Sequence, residues 1–152
     1  MNARPVVLDT NVVLDWLLFG HPDATILNES LIAGELRWIA TEAMRDELAH
    51  VLARGALDDW QPDMRRLWAE WDRHCAEVPA AAESSPASGL RCTDPDDQKF
   101  IDLAASQPGS LLLSRDRAVL KLARKLSVLG VTVTQPAAWA AGRGLGDHSR
   151  PC

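Results

Sequence analysis

Four acidic residues stand where a folded chain does not ordinarily place charge: Asp9, Glu47, Asp97 and Asp116. Asp9 closes the apolar run Val6-Val7-Leu8, and Asp116 follows Leu111-Leu112-Leu113-Ser114-Arg115, so each sits at the carboxyl end of an expected strand. Glu47 shares a helical face with Met44, Leu48 and Val51, while Arg45 and Asp46 point elsewhere. Asp97 shares one with Phe100, Ile101 and Ala104, opposite Gln98, Lys99, Asp102 and Ser106. A buried carboxylate without a partner is costly or stays protonated. Taken one at a time, each acid has a plain reading. Asp9 can cap a helix, Glu47 can sit in an internal salt bridge or at the edge of its stripe, and Asp97 and Asp116 can serve helix dipoles. Taken together, converging carboxylates repel one another, and a hard divalent cation bound through oxygen resolves the repulsion. This points to Mg²⁺ or Mn²⁺, as one or two ions. Such an ion activates water and neutralises charge on a phosphodiester under attack. The expected chemistry is metal-assisted phosphodiester hydrolysis without a covalent protein intermediate.

The elements that must position these acids alternate between strand and helix. Strands are expected at Pro5 to Asp9, Leu36 to Ala40, Leu111 to Ser114 and Val131 to Val133. Helices are expected at Val12 to Phe19, Pro22 to Gly34, Glu42 to Arg54, Pro62 to Cys75, from Asp94-Pro95 to before Pro108, and Asp116 to Leu129. A last helical turn is expected at Pro136 to Ala141. Pro79 to Gly89 is small, polar and Pro/Gly-rich, and reads as a loop. This alternation predicts an α/β fold with a mainly parallel sheet, whose sites lie beyond the carboxyl ends of the strands. One domain is expected over residues 1–141, with a flexible tail over 142–152.

Composition narrows the class. The chain has 152 residues, 47% of them apolar, enough for one packed core. A formal charge of -5 argues against a generic nucleic-acid binder, which is usually basic. It suits acids gathered around a cation. Cys75, Cys92 and Cys152 form no CxxC pair, so a zinc ribbon is not expected. The odd cysteine count and the lack of a signal peptide point to a cytoplasmic setting, and no apolar run is long enough to span a bilayer.

The motifs carrying the acids resemble those of a known family. Val7-Leu8-Asp9-Thr10-Asn11-Val12 resembles the opening motif of PIN domains, the fold of many toxin nucleases of bacterial toxin–antitoxin pairs. Met44-Arg45-Asp46-Glu47-Leu48 is similar to the EL motif of a toxin-component group within that family. Asp94-Pro95-Asp96-Asp97-Gln98-Lys99-Phe100 and Leu113-Ser114-Arg115-Asp116 are similar to its third and fourth motifs. All four occur in family order, from residue 5 to about 140. The resemblance, to a VapC-like nuclease fold, implies a three-layer α/β/α sandwich with a mainly parallel central sheet and Mg²⁺- or Mn²⁺-dependent cleavage of RNA. It implies Asp9, Glu47, Asp97 and Asp116 as metal-binding acids, with Asn11 and Ser114 as polar supports. It also implies a small antitoxin partner and homodimers. Asp96 could exchange roles with Asp97, but helical facing favours Asp97.

An acidic site needs help to hold RNA. Arg115, Arg117, Lys121, Arg124 and Lys125 crowd one segment beside Asp116, and most of them share a helical face. They could grip the RNA backbone or form an ordinary solvated surface. Trp60, Trp68 and Trp71 could stack bases, though core packing is the commoner fate of tryptophan. The rival to an enzyme is a catalytically silent PIN-like module that binds RNA or protein. An aspartyl-phosphate phosphatase ranks lower, because Asn11 stands where its second Asp would be.

Overall fold

Val6, Val7 and Leu8 are consecutive and all buried, as are Leu111, Leu112 and Leu113. Successive residues of a strand face opposite sides of a sheet. Such runs are therefore buried only when both faces of the sheet are covered. The computed structural model shows this arrangement. It describes residues 3–55, 57, 59, 62–80 and 90–149, the stretch 143–149 by main chain alone. Five strands, β1 (Arg4–Leu8), β2 (Leu36–Ala40), β3 (Cys75–Glu77), β4 (Leu111–Leu113) and β5 (Thr132–Thr134), form one sheet in the order β3-β2-β1-β4-β5. Every pairing is parallel. Helices α1 (Thr10–Leu17), α2 (Ala24–Ile32), α3 (Glu42–Ala53), α4 (Met64–His74), α5 (Gln98–Ala105), α6 (Arg117–Leu120), α7 (Ala123–Val128) and α8 (Pro136–Ser149) complete a three-layer α/β/α sandwich.

From β1 the chain works outward to β2 and β3, then returns to the other side of β1 with β4 and β5. The order reverses between β1 and β4, and a crevice opens at the carboxyl ends of strands at such a point. Leu8 pairs with Leu113, so the residues that follow, Asp9 and Ser114, emerge side by side.

The elements depart from the sequence expectation in informative places. The first residue of β3, Cys75, was expected to end a helix, and Ala76 and Glu77 fall between that helix and the expected loop, with no element assigned. The strand's residues, Cys-Ala-Glu, carry no alternation, and β2 recruits them by pairing Trp38 with Cys75 and Ala40 with Glu77. An edge strand this short needs only a partner. The single helix expected over Asp116 to Leu129 is two helices, broken at Lys121-Leu122; no residue type there signals the break. The helix expected to open at Asp94-Pro95 begins as a 3-10 turn, Pro95–Asp97, before α5. Helix α8 runs to Ser149, where one turn followed by a tail was expected. Pro136 at its start pre-sets the helical φ, and elongation past the first turn is easier than nucleation. The expected loop falls mostly outside the described residues, as does Trp60.

Trp38 and Trp71 form part of the core, with Trp16 and Trp68 packed against it. Trp38, on β2, is 1% exposed and makes edge contacts with Trp16 at 5.4 Å and Trp71 at 4.6 Å between ring centroids. Trp68 extends the row at 5.8 Å from Trp71, with the Arg45 guanidinium 4.7 Å over its ring. Trp71 is buried and cannot stack a base, so packing is its role.

Candidate metal centre

Asp9 is fixed from both sides of its Cα. Its N–H donates to the Leu113 carbonyl at 3.1 Å, which continues the β1–β4 pairing. Its side chain caps α1, with Oδ1 accepting the Asn11 N–H at 3.3 Å. Oδ2 accepts the hydroxyl of buried Ser114 at 2.6 Å. The same Ser114 Oγ accepts the Asp116 N–H at 3.0 Å, and Asp116 caps α6 by accepting the Ala118 N–H at 2.8 Å. One serine thus joins the acids from the two strand ends. Asp97 arrives from the turn that leads into α5. The Asp94 side chain accepts the Asp96 N–H at 3.0 Å and starts the 3-10 turn that ends in Asp97. Asp96 projects to solvent, while Asp97 is 7% exposed. The outcome is a cluster in which carboxylate oxygens of Asp9, Asp97 and Asp116 all lie within 4.8 Å of one another. The Asp97 Oδ2 atom is buried and has no hydrogen-bond partner.

The electrostatics are those of buried carboxylates crowded together. Burial raises the Asp9 carboxyl above its usual range, against the hydrogen bonds from Ser114 and Asn11, and the charges of Asp116 and Glu47 add to the rise. Asp97 is pushed up to about 8, first by burial, then by its contact with the Asp116 carboxyl and by the charges of Asp9, Asp116 and Asp94. At neutral pH Asp97 therefore tends to keep a proton, which relieves the crowding at one carboxyl only, whereas a divalent cation could compensate all three together. Three converging oxygen donors with no soft ligand among them match the preference of Mg²⁺ or Mn²⁺. The orphaned Asp97 Oδ2 gives the cluster a lone pair without a protein partner.

The sequence matches the PIN domain family over residues 5–118. The chain belongs to the PIN domain family. No curated protein matches it. Among solved structures it is similar to a chain in the crystal structure of VapBC2 from Rickettsia felis bound to a DNA fragment from their promoter. The TM-score is 0.57 at 15% identity, covering 86% of this chain and 98% of that one. At that identity the likeness is one of fold.

Within this PIN domain, the expected fourth acid stands apart from the other three. Glu47 lies on α3, a quarter exposed, and the Lys99 ammonium donates to its Oε1 at 2.6 Å. Its other oxygen accepts the Thr10 hydroxyl. The internal salt bridge weighed from the sequence is therefore present, and its partner lies two residues past Asp97. Thr10 and Lys99 were missed by the sequence reading. Thr10 hides inside the opening motif. Lys99 was assigned to the solvent side of its helix, although a long side chain can reach back across the helix start. Asn11 contributes its backbone N–H, while its side chain is exposed. Arg115 is committed to Asp15, through Nε at 2.9 Å and Nη2 at 3.1 Å. Arg117, Lys121, Arg124 and Lys125 are all exposed on α6, α7 and their junction. A surface cleft of about 400 Å³ between α1, α2 and α4 shares no residue with the acids. Its lone carboxylate, Glu70, is tied to His74 at 3.1 Å.

Proposed function

We propose that this PIN domain is a metal-dependent ribonuclease, hydrolysing phosphodiester bonds of RNA at the crevice between β1 and β4. The observation that carries the reading is the convergence of Asp9, Asp97 and Asp116 within 4.8 Å around an unpartnered buried carboxylate oxygen. Mg²⁺ or Mn²⁺, when bound, supplies an activated water and stabilises charge on the phosphate and the departing oxygen. The protein's part is to hold the three carboxylates in place. Ser114 keeps Asp9 and Asp116 oriented by accepting from one residue's N–H and donating to the other's carboxylate. Asn11 fixes the second oxygen of Asp9. Glu47, beside them, contributes negative charge that Lys99 compensates. The exposed basic residues of α6 and α7 lie next along the chain from Asp116 and would hold the RNA backbone.

Family membership, and the fold shared with a VapBC2 chain, support a place as the toxin of a toxin–antitoxin pair, with a small protein partner and a homodimer. No helix among the described residues is long and apolar enough to cross a membrane.

The deciding experiment is Mn²⁺ titration by calorimetry on the wild-type chain and on Asp9→Asn, Asp97→Asn and Asp116→Asn, with cleavage of labelled RNA followed alongside. Each substitution keeps the shape and removes the charge. Binding by the wild type, lost in folded variants together with cleavage, is the expected result. Metal binding without cleavage of any RNA, with RNA still retained, would instead identify a silent binding module.

A further inference from the structure

The Lys99–Glu47 pair is built more firmly than a surface ion pair. Both side chains are about three-quarters buried, 26% and 23% exposed. Lys99 Nζ is held at 2.6 Å by Glu47 Oε1 and is also bound to the Asp96 carbonyl. Glu47 Oε2 is bound by the Thr10 hydroxyl, so neither oxygen of this carboxylate lacks a partner. The pair is also stitched to the acid cluster by the chain itself. Thr10 follows Asp9 directly, Asp96 precedes Asp97 directly, and Lys99 lies on the first turn of α5. Glu47 is close enough to Asp9 for its charge to act on it. A charge-assisted hydrogen bond with this much support is a fixed feature rather than a passing contact.

In a two-metal nuclease the ions lie roughly 3.5–4 Å apart and clamp the attacking and leaving oxygens. A second ion needs carboxylate oxygens of its own. Beyond the cluster, Asp94 acts on Asp97 but spends one oxygen on the Asp96 N–H that starts the turn, and Glu47 acts on Asp9 but has both oxygens taken, by an ammonium and a hydroxyl. We propose that Lys99 stands in for the second cation, so that this PIN domain binds one divalent ion and carries its second positive charge permanently on a side chain. The inference rests on the metal-dependent reading above. In it Lys99 is a positioning residue: it holds Glu47 out of the ion's coordination shell and offsets the fourth negative charge. An ammonium provides charge without a coordination geometry, which keeps the site to a single place for metal.

The test is the number of Mn²⁺ ions bound per full-length chain, by calorimetry, in the wild type, Lys99→Gln, Lys99→Arg and Glu47→Gln, with folding checked by circular dichroism. One ion is expected for the wild type and for Lys99→Arg, which restores the cation. Lys99→Gln frees Glu47 and is expected to bind two. Glu47→Gln, which needs no stable Lys99 variant, should keep one ion with its affinity changed less than the roughly 10-fold that loss of even an outer-shell partner brings. Two ions in the wild type, one unchanged ion in folded Lys99→Gln, or loss of binding in Glu47→Gln would each overturn the substitution of Lys99 for metal while leaving the metal-dependent reading intact. No binding by the wild type at all would remove that reading, and this inference with it.

Discussion

Burial and the neighbouring carboxylates act on Asp97 in one direction, toward holding a proton. Its affinity for that proton is higher folded, at about 8, than at the ordinary value of 3.8. The metal-free folded state therefore binds more protons than the unfolded chain between those values. Its contribution to stability is complete at acid pH and is lost as pH rises through about 8. Thermal unfolding in chelator across neutral pH should show a falling melting temperature, and Asp97→Asn should flatten the slope. A slope unchanged in the variant would show that Asp97 does not titrate in this way. Mn²⁺ needs the deprotonated form, so its affinity should climb over the same interval. Ser114 invites a second substitution. Ser114→Ala leaves Asp9 Oδ2 and the Asp116 N–H without their shared partner, at an expected cost of about 1–3 kcal/mol. Metal affinity should fall about 10–100-fold, as for other groups that orient ligands; calorimetry on the folded variant reads both effects. At this scale the meeting of the three aspartates was legible in the sequence, because strand ends and helical faces are local properties. The sequence was a poorer guide to Glu47. The inward face of α3 correctly implied a partner, but whether that partner was an ion or Lys99 depends on how α3 and α5 meet. No local pattern encodes that meeting.

Elements matter here through where they begin. Asp9 caps α1 and Asp116 caps α6, so each helix start aims its own acid, while the turn opened by Asp94 delivers Asp97. The strands on the β4 side of the crevice are entered through two turns, one at Gly109 before β4 and one at Gly130 before β5. There the Gly109 N–H donates to the Gly130 carbonyl at 2.8 Å, and both residues have positive φ, 89° and 85°. At Gly130 an added Cβ would also meet the Gly109 nitrogen at 3.4 Å. Gly130→Ala should therefore cost about 1–2 kcal/mol through its left-handed backbone, measured by denaturant unfolding. An unchanged midpoint would mean that the turn is not held in this conformation. The helices flanking the acids and β1, β2 and β4 were legible because their apolar periods are long or unbroken. β3 and the break between α6 and α7 were not. A three-residue polar edge strand exists only through its neighbour, and the break carries neither glycine nor proline.

For the whole molecule, a net charge of -5 is set against one exposed basic strip along α6 and α7. If that strip holds RNA, binding should weaken steeply with salt. Lys121→Gln with Arg124→Gln should then reduce the salt slope by roughly one for each phosphate contact removed, as read by titration of labelled RNA at several salt concentrations. An unaltered slope would assign the strip to ordinary solvation. The three-layer architecture was legible from the alternation of strand and helix. The strand order was not, since it depends on which side of β1 the returning chain chooses. That return has a consequence for how the centre comes into being. Asp9 and Ser114 touch across 105 residues of sequence, and Asp116 lies beyond β4. During synthesis Asp9 has nothing to converge with until the 105 residues that separate it from Ser114 have followed. The cluster is therefore assembled only late, by a long-range closure of the slow kind. A truncated or nascent chain that stops short of β4 carries Asp9, Glu47 and Asp97 without the strand that gathers them. The nascent protein is thus without its centre until β4 has been made and has docked beside β1.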